Sequence, residues 1–198
     1  MARPRGFDEG KVIRRALTIF WKKGYEATSI RDLEEATELS RISIYNTFGD
    51  KEGLFLQALD LYHNNATLVF GKIAQGGIED IARFFEWFAR PFTPQANNQS
   101  GCIMVNTVLD IPQVGKIVYE KVESYRDMLL SAYTQALENS RTLGEMEATD
   151  AEIAERAEFL VGAQWGAAAT VRFHHSTAAV APMNKIVCET IRSWGSKE

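Results

Sequence analysis

Arg41, Ser43, Tyr45 and Asn46 place a guanidinium, a hydroxyl, a phenol and an amide close together in the chain. Those are donors that proteins aim at phosphate oxygens and base edges. The run Ser40–Gly49 reads as a short helix, capped by Ser40 and stopped by Gly49. Ile44 and Phe48 stand at i and i+4 and must face inward, onto Leu33. The four polar side chains are then left on the outer side. A merely solvated face would favour Lys and Glu over Tyr, Asn and Ser. Ile42 falls outward as well, where an apolar β-branched side chain gains little from water and a thymine methyl is its natural partner. Arg41, beside it in the first turn, suits a bidentate pair with guanine O6 and N7 or, alternatively, a phosphate contact.

Residues suited to catalysis are present but not arranged for it. None of the 14 glycines forms a G-x-G pair, and no phosphate-cradling G-x-x-x-x-G-K-[ST] loop occurs. His63, His174 and His175 belong to no H-E-x-x-H, and His174 and His175 diverge by about 100° on a helix, a poor chelating geometry. Cys102 and Cys188 make no C-x-x-C and are too few for a disulfide framework. The expectation is a protein that is not an enzyme, with no catalytic residue, cofactor or metal.

The elements that must position the 40–49 segment are all helical. Asp8 caps a helix whose inner face is Ile13, Ala16, Leu17, Phe20 and Trp21, ended by Gly24. Ser29 and Asp32 form a capping box for a second helix with Ile30, Leu33 and Ala36 inside. Asp50 caps a long one running to about Ala74. Gly76-Gly77 breaks the chain before Ile78–Arg90. Pro91–Ser100, with two prolines, polar amides and no charge, is the clearest loop. A short helix over Cys102–Leu109 follows, ending near Pro112. Val114–Ser140 reads as a long amphipathic helix, and Thr149 with Glu152 boxes another that reaches about His175. Pro182 opens the last, with Met183, Ile186, Val187, Thr190, Ile191 and Trp194 on one face. No run alternates with period two. The fold class is all-α, about nine helices, with a three-helix helix-turn-helix head.

In this layout the segment TSIRDLEEATELSRISIYNTFGDKEGLF (28–55) resembles the DNA-binding end of the TetR/AcrR (tetracycline-repressor) family of bacterial regulators. Thr28, Ser40-Arg41-Ile42-Ser43-Ile44-Tyr45-Asn46-Thr47-Phe48 and Lys51-Glu52-Gly53-Leu54-Phe55 follow the family pattern in order and spacing. With Gly24-Tyr25 the likeness covers about residues 10–62, and GCIMVNT from Gly101 is like a segment of some members. The resemblance implies DNA contacts at Thr28, Ser40, Arg41, Ile42, Ser43, Tyr45, Asn46 and Lys51, with Tyr45 and Lys51 gripping the backbone. It also implies a homodimer and a divergent body that binds a small effector. One position departs: the family's turn glycine is Glu38 here. A left-handed backbone at a residue with a Cβ costs on the order of 1 kcal/mol.

Charge fits one polyanion-facing end. Residues 1–31 carry eight basic and three acidic side chains, while the whole chain has net charge −4. A single short recognition helix reads too few bases, and a dimer with two heads on double-stranded palindromic DNA solves that. The division expected is 1–50 for the DNA-binding head and 51–198 for a helical effector-binding and dimerisation body. Phe159–Val171 is apolar nearly all round, so one face can pack on its own body and another on a partner; full burial within one monomer is the alternative. Leu160, Val161, Gln164, Ala167, Ala168, Ile186 and Ile191 are the expected dimer interface. Trp87, Phe88, Cys102, Met104, Tyr125, Trp165 and Phe173 are the expected effector pocket, with Cys102 as a redox or electrophile sensor in a variant of that reading. That run of 13 uncharged residues is short of the roughly 20 a membrane span needs, and no signal-peptide pattern opens the chain. A cytoplasmic, ligand-responsive repressor is expected. The rival is a helical small-molecule carrier or enzyme whose N-terminal bundle binds no DNA.

Overall fold

The computed structural model describes residues 7–90, 100–110 and 115–195. Among them are nine α-helices: α1 (Glu9–Lys23), α2 (Ile30–Thr37), α3 (Arg41–Phe48), α4 (Lys51–Ala74), α5 (Ile78–Phe88), α6 (Ile103–Asp110), α7 (Lys116–Thr142), α8 (Asp150–His174) and α9 (Ala181–Ser193). The described residues contain no strand, only an isolated bridge between Met146 and Gly195. None of these helices is long and apolar enough to cross a membrane. The loop expected over Pro91–Ser100 falls, apart from Ser100, outside the described residues, as do the stop at Pro112 and the helix start at Val114.

The helix starts are set by short polar side chains that satisfy otherwise unpaired amides. Asp8 accepts from the Lys11 amide, Asp50 from Gly53, and Ser29–Asp32 and Thr149–Glu152 are reciprocal boxes. Lys23 donates to Asp32 at 2.5 Å and, with the Ser29 amide and hydroxyl, holds this carboxyl well below the usual carboxylate range. Gly53 is required by close approach: a Cβ there would stand 2.0 Å from the Phe48 carbonyl oxygen, so the α3–α4 corner closes only on glycine. A 3-10 turn at Thr177–Val180, for which the sequence gives no signal, precedes α9.

α4 joins the two parts. It packs on α1 near its start and on α7 along its length, while α5 packs on α9 and α7 on α8. One hydrophobic core runs from Val12 and Leu33 through Phe55 and Tyr133 to Ile191. An aromatic knot of Phe20, Tyr25 and Phe55 sits at the α1–α4 junction, with ring centroids 4.7–6.1 Å apart. The end of α1 is also tied to the body. The Trp21 indole N–H donates to the Gly101 carbonyl at 3.0 Å, and Arg172 of α8 donates to the Lys22 carbonyl at 3.1 Å. Gly101 takes φ +70°, and a Cβ there would stand 2.3 Å from the Ala168 carbonyl oxygen, so only glycine lets α6 begin so close to α8.

Candidate nucleic-acid interface and effector cavity

The outer face of α3 is built by what its inner face buries. Leu33 and Ile44 are fully buried and Phe48 nearly so, which turns Arg41, Ile42, Tyr45 and Asn46 to solvent and leaves Ser43 half-buried. Ile42 is 72% exposed, an unusual state for an isoleucine with nothing to gain from water. The Arg41 guanidinium lies 5.3 Å from the Tyr45 ring centroid, so the two form one outward-facing cationic surface. Ser40 is exposed; its hydroxyl oxygen accepts from the Ser43 amide at 3.3 Å. Lys51, at the start of α4, holds its ammonium 4.3 Å from the Tyr25 ring centroid. Of the eight expected contact residues, Ser40, Arg41, Ile42, Tyr45 and Asn46 are exposed, and Ser43 and Lys51 are half-buried.

Thr28 is the correction. It is fully buried and its hydroxyl donates to the Gly24 carbonyl at 2.6 Å, so the side chain braces the α1–α2 corner and offers DNA nothing. The cap of α2 is Ser29, leaving Thr28 one step inside the turn.

The departure at Glu38 has its own support. Glu38 has φ +62°, ψ +21°, the left-handed conformation the missing glycine would take. Arg15 forms an ion pair with Glu38 at 2.8 Å and donates to the Thr37 carbonyl at 3.4 Å, while the Glu34 carboxylate accepts from the Arg41 amide at 2.6 Å. The Arg15 guanidinium lowers the Glu38 carboxyl below its ordinary range. Glu38→Gly should therefore relieve backbone strain yet lose the Arg15 clasp, so its gain in melting temperature should be larger in an Arg15→Ala background than in the wild type. Equal gains in both backgrounds, by thermal denaturation, would show that the ion pair does not support the turn.

In the body, a cavity of about 290 Å³ lies between α1, α4, α5, α7 and α8. Trp87, Phe88 and Tyr125 line it as expected. Four expected residues do not. Met104 is fully buried core, and Cys102 is buried with its Sγ 3.8 Å from the Tyr125 hydroxyl. Trp165 is half-buried outside the lining, its indole N–H without a partner among the described residues. Phe173 is 80% exposed, edge-on to His174. The reason is helix phase: α8 turns Gln164, not Trp165 or Phe173, to the cavity. The missed wall is α4, where Tyr62, Asn65, Ala66, Val69 and Phe70 repeat at i, i+3, i+4, i+7 and i+8. Asn65 in that stripe was the available signal. Burial raises the Tyr62 and Tyr125 hydroxyls well above their ordinary range, so the wall phenols stay neutral. A larger groove of about 410 Å³ between α5 and α9 is a weaker candidate, because its Arg192 is already paired with Glu86 and with neighbouring Glu79. No group of three or more His, Cys, Asp or Glu among the described residues could hold a metal.

The expected dimer residues are a second correction. Leu160, Val161, Gln164, Ala167, Ala168 and Ile191 are all buried within the single chain, because α8 and α9 turn these residues to their own body; only Ile186, 59% exposed, faces out. The outward stripe of α8 is instead Phe159, Gly162, Gly166 and Phe173. A Cβ on Gly162 or Gly166 would meet nothing within 4 Å.

Comparison with known proteins agrees with this geometry. Residues 12–58 match the family model of bacterial regulatory proteins, tetR family. The HTH-type transcriptional repressor ComR of Escherichia coli (strain K12) is 28% identical over 97% of this chain and 91% of its own. The uncharacterised HTH-type transcriptional regulator YezE of Bacillus subtilis (strain 168) is 29% identical over 81% of this chain and 84% of its own. Among solved structures, a cysteine-substituted form of the TetR family transcriptional regulator CifR, complexed with a 26-base-pair double-strand operator DNA, superposes with a TM-score of 0.80. It shares 25% identity, over 98% of this chain and 100% of that one.

Proposed function

We propose that the chain acts as a transcriptional regulator of the TetR family, a cytoplasmic homodimeric repressor released from a palindromic operator by a small effector. Residues 1–50 serve as the reading head and 51–198 as the effector-binding and dimerisation body. The observation that carries the reading is the outer face of α3, where Arg41, Ile42, Tyr45 and Asn46 stand clear of the core on a head that matches the family model. The operator-bound relative supports double-stranded DNA as the partner. The dimer forms through the Phe159–Gly162–Gly166–Phe173 stripe with Ile186 beside it, and two heads then meet successive major grooves. The effector occupies the cavity between α1, α4, α5, α7 and α8.

Selection of binding sites from random DNA tests it. The wild type should select an inverted repeat, and Ile42→Ser should stop distinguishing thymine from cytosine at one position per half-site, a loss of about 1 kcal/mol or more. Identical base preferences would remove Ile42 from base reading. Lys51→Ala and Tyr45→Phe should weaken all sequences about equally. Lys51→Ala should also lower the slope of log affinity against log salt by about one. An unchanged slope would take Lys51 off the phosphates.

A further inference from the structure

We propose that the ligand of the α1–α4–α5–α7–α8 cavity is a neutral, flat aromatic compound with one hydrogen-bond acceptor, held by the Gln164 side-chain amide. The inference rests on the effector-site reading and adds the chemical class of what the site takes.

Charge comes first. No Asp, Glu, Lys, Arg or His lines the cavity among the described residues. A charged ligand would leave water without a counter-charge to meet it, which costs far more than any single neutral hydrogen bond returns. The charged side chains of the body pair with one another elsewhere, as Lys121 does with Asp60, Arg126 with Glu158 and Arg192 with Glu79.

Shape and surface come next. The walls present Trp21, Tyr62, Phe70, Phe84, Trp87 and Tyr125. These rings meet each other edge-on or tilted, as Trp21 with Tyr62 and Phe70 with Phe84. Such walls favour a flat, polarisable occupant. At about 290 Å³ the space lies at the small end of ligand pockets, fitting two fused rings with a short polar arm.

The polar anchor is the buried amide of the lining. The Trp21 N–H is committed to Gly101, and the Thr177 hydroxyl to the Arg90 carbonyl at 2.9 Å. The Tyr125 hydroxyl accepts from the Cys102 Sγ at 3.8 Å, and the Tyr62 ring centroid lies 5.8 Å from that of Tyr125. Asn65 is exposed at the mouth, where water serves it. Gln164 remains, only 7% exposed. The Tyr133 hydroxyl, fully buried on α7, donates to Gln164 Oε1 at 2.7 Å. A neutral phenol must place its proton on an acceptor, and that bond fixes which way round the amide sits. The Nε2 group is left with no partner among the described residues. Gln164 lines the cavity, so this donor can be met there by a ligand carbonyl or ether oxygen.

Calorimetric titration of the full-length protein with three matched probes tests the class. They are 2-acetylnaphthalene, which is neutral with an acceptor, 2-ethylnaphthalene, which lacks the acceptor, and 2-naphthoate, which carries a charge. The ketone should bind at least tenfold tighter than the naphthoate. The double variant Tyr133→Phe/Gln164→Leu, which removes both ends of the internal bond without orphaning either, should weaken the ketone by about threefold to tenfold and leave 2-ethylnaphthalene unchanged. A naphthoate that binds as well as the ketone overturns the proposal, as does equal loss for ketone and hydrocarbon in the variant, or no binding by any probe. The effector-site reading is judged separately, on operator affinity measured with each bound probe. A ketone that binds as expected and leaves operator affinity unchanged overturns that reading while the ligand class stands. A naphthoate that binds best and releases operator does the reverse.

Discussion

Gly166→Glu should yield a folded monomer that has lost the operator. Gly166 is exposed on α8, and nothing lies within 4 Å of where its Cβ would be. The new side chain therefore meets no atom of its own chain, and replacing a glycine inside a helix favours the helix. Across a dimer interface built on the same stripe, the carboxylate would meet a second copy of itself with little water, and burial of unpaired like charges is prohibitive. Joining two heads in one molecule is worth about 10²–10⁴ in overall affinity, so operator binding should fall by that order. Sedimentation would show the monomer, circular dichroism the retained helices and a gel shift the lost binding. An intact dimer would move the interface off α8. Ala168→Glu is the informative contrast. Ala168 is buried against the body, so a carboxylate there should unfold the chain rather than divide the dimer.

Phe20→Ala should cost about 3–5 kcal/mol of stability, the range for emptying a buried aromatic site. Phe20 is 1% exposed and its ring stands edge-on to Phe55 at 4.9 Å. Through Tyr25 the same knot supports the ammonium of Lys51, so the loss should reach the DNA face as well as the core. Urea unfolding should show a lower midpoint with an unchanged slope. Phe20→Leu, which keeps most of the volume, should recover much of the loss. A cost below about 1 kcal/mol for the alanine variant would mean that the site collapses freely and that the knot does not hold α1 to α4.

The head was legible because its signals are local. A capping serine, a stopping glycine and an inward pair at i and i+4 fix the phase of an eight-residue helix, so Ile42 and Tyr45 could be placed outward without tertiary information. Thr28 misled because a family position was carried over where the side chain's own bond to Gly24 turns it inward. The body was less legible because α8 is apolar on nearly every side from Phe159 to Val171. When a helix has no polar face, its composition cannot say which residues meet the body and which meet a partner. Gln164 and Phe173 illustrate the result: the polar side chain faces the cavity and the aromatic one faces water. The α4 wall was missed for a related reason. Its early turns face α1 and its later turns the cavity, so one helix carries two different inner faces.

The Trp21 indole has a double position, with its ring in the cavity wall and its N–H latched to Gly101, where α6 begins. It stands in the last turns of α1, the helix on which the reading head is built. An occupant that displaces the ring strains the latch, and one that fits around it leaves the latch closed. Such coupling is reciprocal: if an occupant weakens operator binding by some factor, operator binding weakens the occupant by the same factor, roughly 5–150-fold for typical coupling energies. On the proposed reading, the chain answers a low ligand concentration faithfully only when few copies are on DNA. With more operators than protein, such a repressor becomes a poorer receptor, and the concentration at which it would let go is set by the number of its binding sites as well as by the cavity.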